Sequence, residues 1–519
     1  MANRTHCLTT AAILALAPLC MATQPAWVQL EGTAVIARDT AGAVLWRVQP
    51  ADPLTVSIRT LPGGSFDLGD GIVLTAQGRL RLLGGQAATP PPDTQTQPNA
   101  QLGPAWGPLT TIDPSITYDP PPAPQFDPMN NAWLVNLDNE ETTLAAVESS
   151  GVSGGWQAPQ AIAGSGLELE GPPAMAIDPA GAVHVVCRNI SSGQYQIIYS
   201  SNAGGSWQPP QVIYSSPYFF QNIALATDSA GDVIVVFDRA SQTTGAPQGW
   251  SIIYSQATGL WGPPQVISPV SQPFFLPSLA QSPGGSKVLL VYTGGGGVGI
   301  YYQFFDAGSR RWQTAEPIPG TSQASFTTLA VGTKYPLTLD SFGNATLIVP
   351  FYNLSGGNGY ELEGLRYEAG SWANRTALIP WGSVTADGDI LNFGSIAANR
   401  QGDVLAVGAA FTDTQQTINA YRFTAGNGWD VEQVARLSLN SPDSHLSVAW
   451  FEWSGEAVVS YFAPAGVATT MFMAGSWSYS PGIAEPAEIS NALVTAPTGQ
   501  VLLTSLSDSG VTQAAVLHQ

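Results

Sequence analysis

A chain of 519 residues with 55 glycines, 41 prolines and only 10% charged residues suits many short strands joined by tight turns. Its formal charge of −20 excludes nucleic acid and anionic lipid as partners, because both are polyanions. Beyond the first residues no apolar run approaches the ~20 residues of a spanning helix, so no membrane insertion is expected.

The chain begins "MANRTHCLTTAAILALAPLCMA", a basic tip at Arg4, an apolar run and then small residues. Residues 1–22 read as a secretory signal peptide cut after Ala22, which places the mature protein outside the cell or in the periplasm. Leu19 directly before Cys20 fits a lipidation signal poorly, so plain export is expected. Cys7 and Cys20 leave with that signal, and Cys187 alone remains, too few for an internal disulfide. In "AVHVVCRN" it reads as a small buried apolar residue.

Residues 23–86 alternate apolar and polar positions with glycine turns and read as a small β-module. Residues 87–104, rich in Pro, Gln and Thr, read as a linker with no means of forming a core.

From residue 105 onward the chain repeats. A tryptophan led by glycine or small residues recurs at positions 106, 156, 207, 261, 312, 372, 429 and 477, with tails such as "GGWQAPQAI", "GSWQPPQVI" and "GLWGPPQVI". Ahead of most copies lies an Asp-x-x-Gly turn running into an apolar strand: Asp178 with Gly181, Asp228 with Gly231, and Asp340 with Gly343. Degenerate copies fall at Asp127, Ser282, Asn399, Glu452 and Ala496. Each unit reads as four strands, and four strands repeated at about 50 residues is the pattern of a β-propeller. The last unit lacks a tryptophan turn and the first tryptophan turn lacks a unit, so residues near 105 complete the last blade and close the ring. The expected fold is all-β, a propeller of about eight four-stranded blades over 105–519 with the small N-terminal module; seven is the alternative if one degenerate unit does not form.

The turn "SSNAGGSW" at 200–207 matches the Asp-box pattern Ser-x-Asp-x-Gly-x-x-Trp with Asn202 in the Asp place, followed by Gly204 and Trp207. The chain therefore resembles the sialidase-like propellers that carry such BNR, or Asp-box, repeats. That resemblance implies a structural turn between the third and fourth strands, on the face away from the active site. It does not carry the sialidase catalytic set across: no Arg-Ile-Pro occurs, and no arginine lies between Arg81 and Arg188.

If both repeated turns share one face, the other loops share the opposite one, where function on a repeat scaffold sits. Arg188 and Arg239 occupy equivalent places in adjacent blades. With Asp238 and the aromatic run Tyr218, Phe219 and Phe220 they form a candidate sugar- or carboxylate-binding patch, against the plainer reading of arginines salt-bridged between blades. Asp387 and Asp389 are candidate calcium ligands, against a solvated turn; otherwise no cofactor is expected. Glu170 and Asp238, with Asp387, are the catalytic candidates if the protein is a glycoside hydrolase or lyase. The favoured expectation is a non-catalytic propeller binding glycans or another cell-surface polymer. The alternatives are that enzyme and a protein-interaction scaffold.

Overall fold

The computed structural model describes seven strands within 27–82, and in the rest of the chain residues 105–107, 110–113, 124–137, 144–149, 151, 155–163, 167–220, 222–240, 247–268, 273–294, 299–321, 335–353, 359–379, 392–411, 415–438, 446–451, 455–463, 466–473, 476–483, 488–507 and 512–518. The expected signal peptide (1–22) and linker (87–104) lie outside the described residues, as do Asp387 and Asp389. Contacts divide the chain into Met1–Gln101 and Leu102–Gln519. In the first unit Trp27–Glu31, Ala34–Arg38 and Val44–Val48 form a three-stranded antiparallel sheet, and Arg59–Thr60, Phe66–Gly69, Ile72–Leu74 and Leu80–Leu82 form a four-stranded one.

The second unit is a propeller of eight blades built on four antiparallel strands each. Blades 1 to 7 span 125–163, 168–216, 223–266, 274–317, 337–379, 392–438 and 447–483. Blade 8 takes three strands from the C-terminal end (488–518) and its outer strand from Ala105–Trp106 and Thr110–Asp113, which pair with Thr512–His518. Among the described residues the only helix is a single 3-10 turn, Pro283–Gly285.

Stacking of blades explains why the second strands are mostly apolar and buried on both faces rather than alternating. Ala132–Leu137 and Val288–Gly294 are buried at every position, because both faces of each sheet meet a neighbour. Alternate residues of one strand serve opposite interfaces. Val233 and Val235 pack back on Val186 and Ile197 of blade 2, while Ile234 and Val236 pack forward on Leu290 and Tyr292 of blade 4. Among the described residues one such cluster lies at each of the eight interfaces. The last joins Leu502 and Ala514 of blade 8 to Ala132 and Leu134 of blade 1, which closes the ring. Thr498 adds a polar tie there, its hydroxyl 3.1 Å from Asn130 Oδ1.

Candidate functional site

The two repeated turns share a face, and the bonds that put them there are direct. Asp178 Oδ1 accepts from the amides of Ala180 (2.9 Å) and Ala182 (2.8 Å), Asp228 Oδ1 from Ala230 and Asp232 (both 2.9 Å), and Asp340 Oδ1 from Phe342 and Asn344 (both 2.9 Å). Gly181, Gly231 and Gly343 follow at φ of 90°, 78° and 76°, a conformation the turn requires and glycine adopts without strain. Asn399 makes the same pair of bonds in blade 6. Blade 4 substitutes Ser282, and the bond that closes its turn reaches Lys287 O, one residue further on than the corresponding bond in blade 3 (Asp228 N to Asp232 O).

The tryptophan turns lie beside these. Asn202 Oδ1 accepts from Val183 N at 2.7 Å, so this side chain ties its turn to the start of the second strand. Gly204 and Gly205 take φ of 94° and 85°, and Trp207 meets Trp133 of blade 1 edge-on at 6.2 Å. Gln256 N and Ala425 N likewise reach Asp232 and Asp403 beside the Asp-type turns of their blades. On this side Asp178 Oδ2 also meets His184 Nε2 (3.3 Å), and His184 Nδ1 meets the Tyr199 hydroxyl (2.8 Å), a buried Asp–His–Tyr chain that the isolated histidine in the sequence does not announce. Burial pushes the Asp178 carboxyl up, but the His184 bond and the two amides outweigh it, so its pKa lies below the usual carboxylate value. Burial pushes the Tyr199 hydroxyl up to about 12.

The opposite face carries the loops from fourth to first strands and from second to third. Here the structure brings together most of the patch expected from sequence. Glu170 and Arg188 are cross-strand partners in blade 2, with Arg188 Nε 2.9 Å from Glu170 Oε2. Arg188 Nη1 donates to Phe220 O (2.9 Å), so the guanidinium also holds the loop that enters blade 3, and it lies 5.3 Å over the Phe219 ring. Asp238 accepts from Asn222 twice, Nδ2 to Oδ2 at 2.7 Å and N to Oδ1 at 2.9 Å. Arg239 reaches back to blade 2, donating to the Tyr214 hydroxyl (2.8 Å) and stacking on Trp250 at 4.0 Å, with Tyr218 at 5.9 Å. Phe220 is buried among Tyr214, Tyr195 and Phe237. Phe219 is 41% exposed, braced edge-on by Tyr195 at 5.2 Å.

Blade 4 repeats this entry. The run Pro273-Phe274-Phe275 enters it: Phe274 is buried against Tyr292 as Phe220 is against Phe237, and Phe275 is 39% exposed. A bulge follows in the first strand between Phe275 and Ser278, and it holds Leu276 at φ 50°, rare for a side-chain-bearing residue. Blade 2 has the corresponding bulge between Glu170 and Ala174, with Gly171 at φ 72°. Bulges of this kind re-aim side chains at sheet ends.

A separate cleft of about 400 Å³ lies between the outer strands of blades 3 and 4, lined by Gln265, Ser268, Gln303, Trp312 and Thr314. Gln303 donates from Nε2 to Ile267 O (2.9 Å) and Gln313 O (3.1 Å), so it fastens the two blades where blade 3 has Ile252 in the equivalent place. Sequence reading passed over Gln303; the one signal was a glutamine inside the apolar strand "IYYQFF".

No protein-family model and no curated protein matches the chain. Solved structures do, and the fold is what they share with it. An ulvan lyase of polysaccharide lyase family 25 is 11% identical, over 74% of this chain and 96% of its own, with a TM-score of 0.44. A prolyl endopeptidase is 10% identical over 76% and 54%, TM-score 0.42, and the Hadza microbial sialidase Hz136 is 11% identical over 64% and 73%, TM-score 0.33. Likeness at this level describes the path of the chain and not its chemistry.

Proposed function

We propose that this protein is an exported, non-catalytic propeller that binds glycans or another cell-surface polymer through its loop face. The observation that carries the reading is the pair Phe219 and Phe275, aromatic rings 41% and 39% exposed where the chain enters adjacent blades 3 and 4, the first braced by Tyr195. A large apolar side chain held half out of a braced loop is a ready surface for the apolar face of a sugar ring. Two of the three carboxylate candidates for an acid–base mechanism are engaged instead, Glu170 with Arg188 and Asp238 with Asn222; the third, Asp387, lies outside the described residues. Export rests on the apolar N-terminal stretch. A glycan array probed with the mature protein tests the reading. Binding without trimming, reduced at least tenfold by Phe219→Ala combined with Phe275→Ala, is expected. Trimmed glycans would move the assignment to a hydrolase or lyase, and a silent array to a protein-interaction scaffold.

A further inference from the structure

We propose that the cleft between the outer strands of blades 3 and 4 is a carbohydrate site of its own, taking a sugar unit of an oligosaccharide. It is separate from the loop face, and its occupancy does not depend on what that face binds. Its volume of about 400 Å³ lies within the range of small-molecule pockets, ~300–1,000 Å³.

The floor is Gln303, 3% exposed at a strand position that blade 3 fills with Ile252. Stacked blades bury that position, so packing alone would select an apolar side chain. The amide is instead held in one orientation, since Nε2 donates to Ile267 O at 2.9 Å and to Gln313 O at 3.1 Å. Both donors are thereby used, and Oε1 accepts no hydrogen bond among the described residues. A buried carbonyl oxygen left unpaired is destabilising, and a hydroxyl entering the cleft relieves it. Trp312 Nε1 is unpaired as well, a trait it shares with Trp207, Trp261, Trp372 and Trp477 around the ring. What sets this seam apart from that of blades 2 and 3 is the Gln303 carbonyl.

The walls suit a polyhydroxylated ligand. Gln265, Ser268 and Thr314 bring an amide and two hydroxyls, groups that both donate and accept, as a sugar hydroxyl does. Ser268 Oγ accepts from Gly249 N (2.8 Å), which leaves its own proton to give. Trp312 supplies an apolar surface against which the C–H face of a sugar ring packs. Arg311, exposed at the rim, adds donors. Among the described residues that line the cleft none is an acid, so it has no general acid–base pair and holds its ligand without cleaving it.

An extended peptide fits this place poorly. Adding a strand needs a continuous free edge, and here the edge strands are two residues each: Leu260–Trp261, Gln265–Val266, Arg311–Trp312 and Glu316–Pro317. Pro263, Pro264 and Pro317 take further amides out of that edge.

Saturation-transfer NMR and calorimetry of the full-length protein test the site with maltose, cellobiose, lactose, mannobiose and N,N′-diacetylchitobiose. An acetylated and amidated hexapeptide of alternating valine and threonine is run beside them. Gln303→Ile installs the residue of blade 3, and Gln265→Ala with Thr314→Ala removes two wall side chains that make no described hydrogen bond. Phe219→Ala with Phe275→Ala disables the loop face. At least one disaccharide should bind, about tenfold more weakly in Gln303→Ile and in the wall variant, and with unchanged affinity in the loop-face variant. Both cleft variants should melt close to the parent. Binding lost in the loop-face variant but intact in Gln303→Ile would overturn this site and leave the loop-face reading standing. A Gln303→Ile protein that melts far below the parent, with the wall variant binding as the parent does, would make Gln303 a fastener only and overturn the site as well. So would binding of the hexapeptide in place of the sugars, or of no probe at all. The loop face would then still be tested by itself, through the glycan array and its Phe219 and Phe275 variants.

Discussion

Arg366 and Asp340 form the most deeply buried ion pair described, and the neighbouring blade supplies the control needed to measure it. Arg366 Nη2 lies 2.7 Å from Asp340 Oδ2, with side chains 2% and 0% exposed, while Nη1 donates to Thr346 Oγ1 at 2.8 Å and the guanidinium covers Phe423 at 4.4 Å. Asp340 meanwhile holds its turn through Oδ1. Arg366→Met keeps the stem and removes the charge, leaving the carboxylate without its cation, and a broken buried pair costs about 3–5 kcal/mol. Asn399 already performs the turn in blade 6 with a neutral amide, at 3.0 and 2.9 Å. Asp340→Asn added to Arg366→Met therefore keeps both turn bonds and abolishes the stranded charge. It should recover about 2 kcal/mol of the loss, read from urea unfolding followed by tryptophan fluorescence and near-ultraviolet circular dichroism. A double variant no more stable than Arg366→Met would refute the reasoning, since the cost would then lie in the lost stacking on Phe423 and the bond to Thr346.

Three further outcomes follow from the ring. Asp228 is pushed above the usual carboxylate value by burial, against the amides of Asp232 and Ala230, and no partner of its Oδ2 is described; a folded pKa that is raised favours the fold at low pH and loses that contribution as pH rises through it, so Asp228→Asn should stabilise the protein at neutral pH and do nothing below pH ~4. Asp178, whose pKa is lowered, should respond with the opposite sign: Asp178→Asn should destabilise at neutral pH, the difference closing as acid protonates the native carboxyl, and equal responses from the two sites in pH-dependent melts would refute both assignments. Truncation through residue 113 strips the outer strand from blade 8 and should give aggregation on heating by light scattering, whereas truncation through residue 101 should not.

The propeller was legible because its signals are local. Asp at the first position of a turn and Gly at the fourth satisfy backbone demands within five residues, and a second strand that is a nearly continuous apolar run announces sheets on both sides. The closing strand was legible by arithmetic, a tryptophan turn without a unit and a unit without one. Where turns lengthen, as at Ser282, the pattern faded and only the apolar strand marked the blade. Of the candidate patch, the grouping of residues was legible and their bonding was not. Arg188, Asp238 and the 218–220 loop were found as neighbours because equivalent positions in adjacent blades must converge. Their partners were not, because Glu170, Asn222 and Tyr214 are chosen by bulges and rotamers that no repeat spacing encodes. Gln303 and the bulge at Leu276 belong to the same class.

That difference decides which variant speaks about function. Arg188 looks like the natural choice for a binding test, yet its guanidinium joins Glu170, the Phe220 carbonyl and the Phe219 ring, and Gly171 leaves room for it: a β-carbon there would lie 3.3 Å from Arg188 Nη2. Arg188→Ala removes the support of the loop that presents Phe219, so lost binding after that change follows equally from a lost contact and from a collapsed loop. Arg188→Lys does not separate the two, because one ammonium cannot reach the carboxylate and the carbonyl with the geometry of a planar fork. Phe219→Ala is the cleaner probe, for the ring is 41% exposed and buries little of the core on which blade 3 depends. Its expected signature is weaker glycan binding with an unfolding midpoint close to that of the parent, while Arg188→Ala should lower both. If Phe219→Ala destabilised the protein as much as Arg188→Ala, the ring would be a piece of the seam and the loop face would lose its one exposed anchor in blade 3.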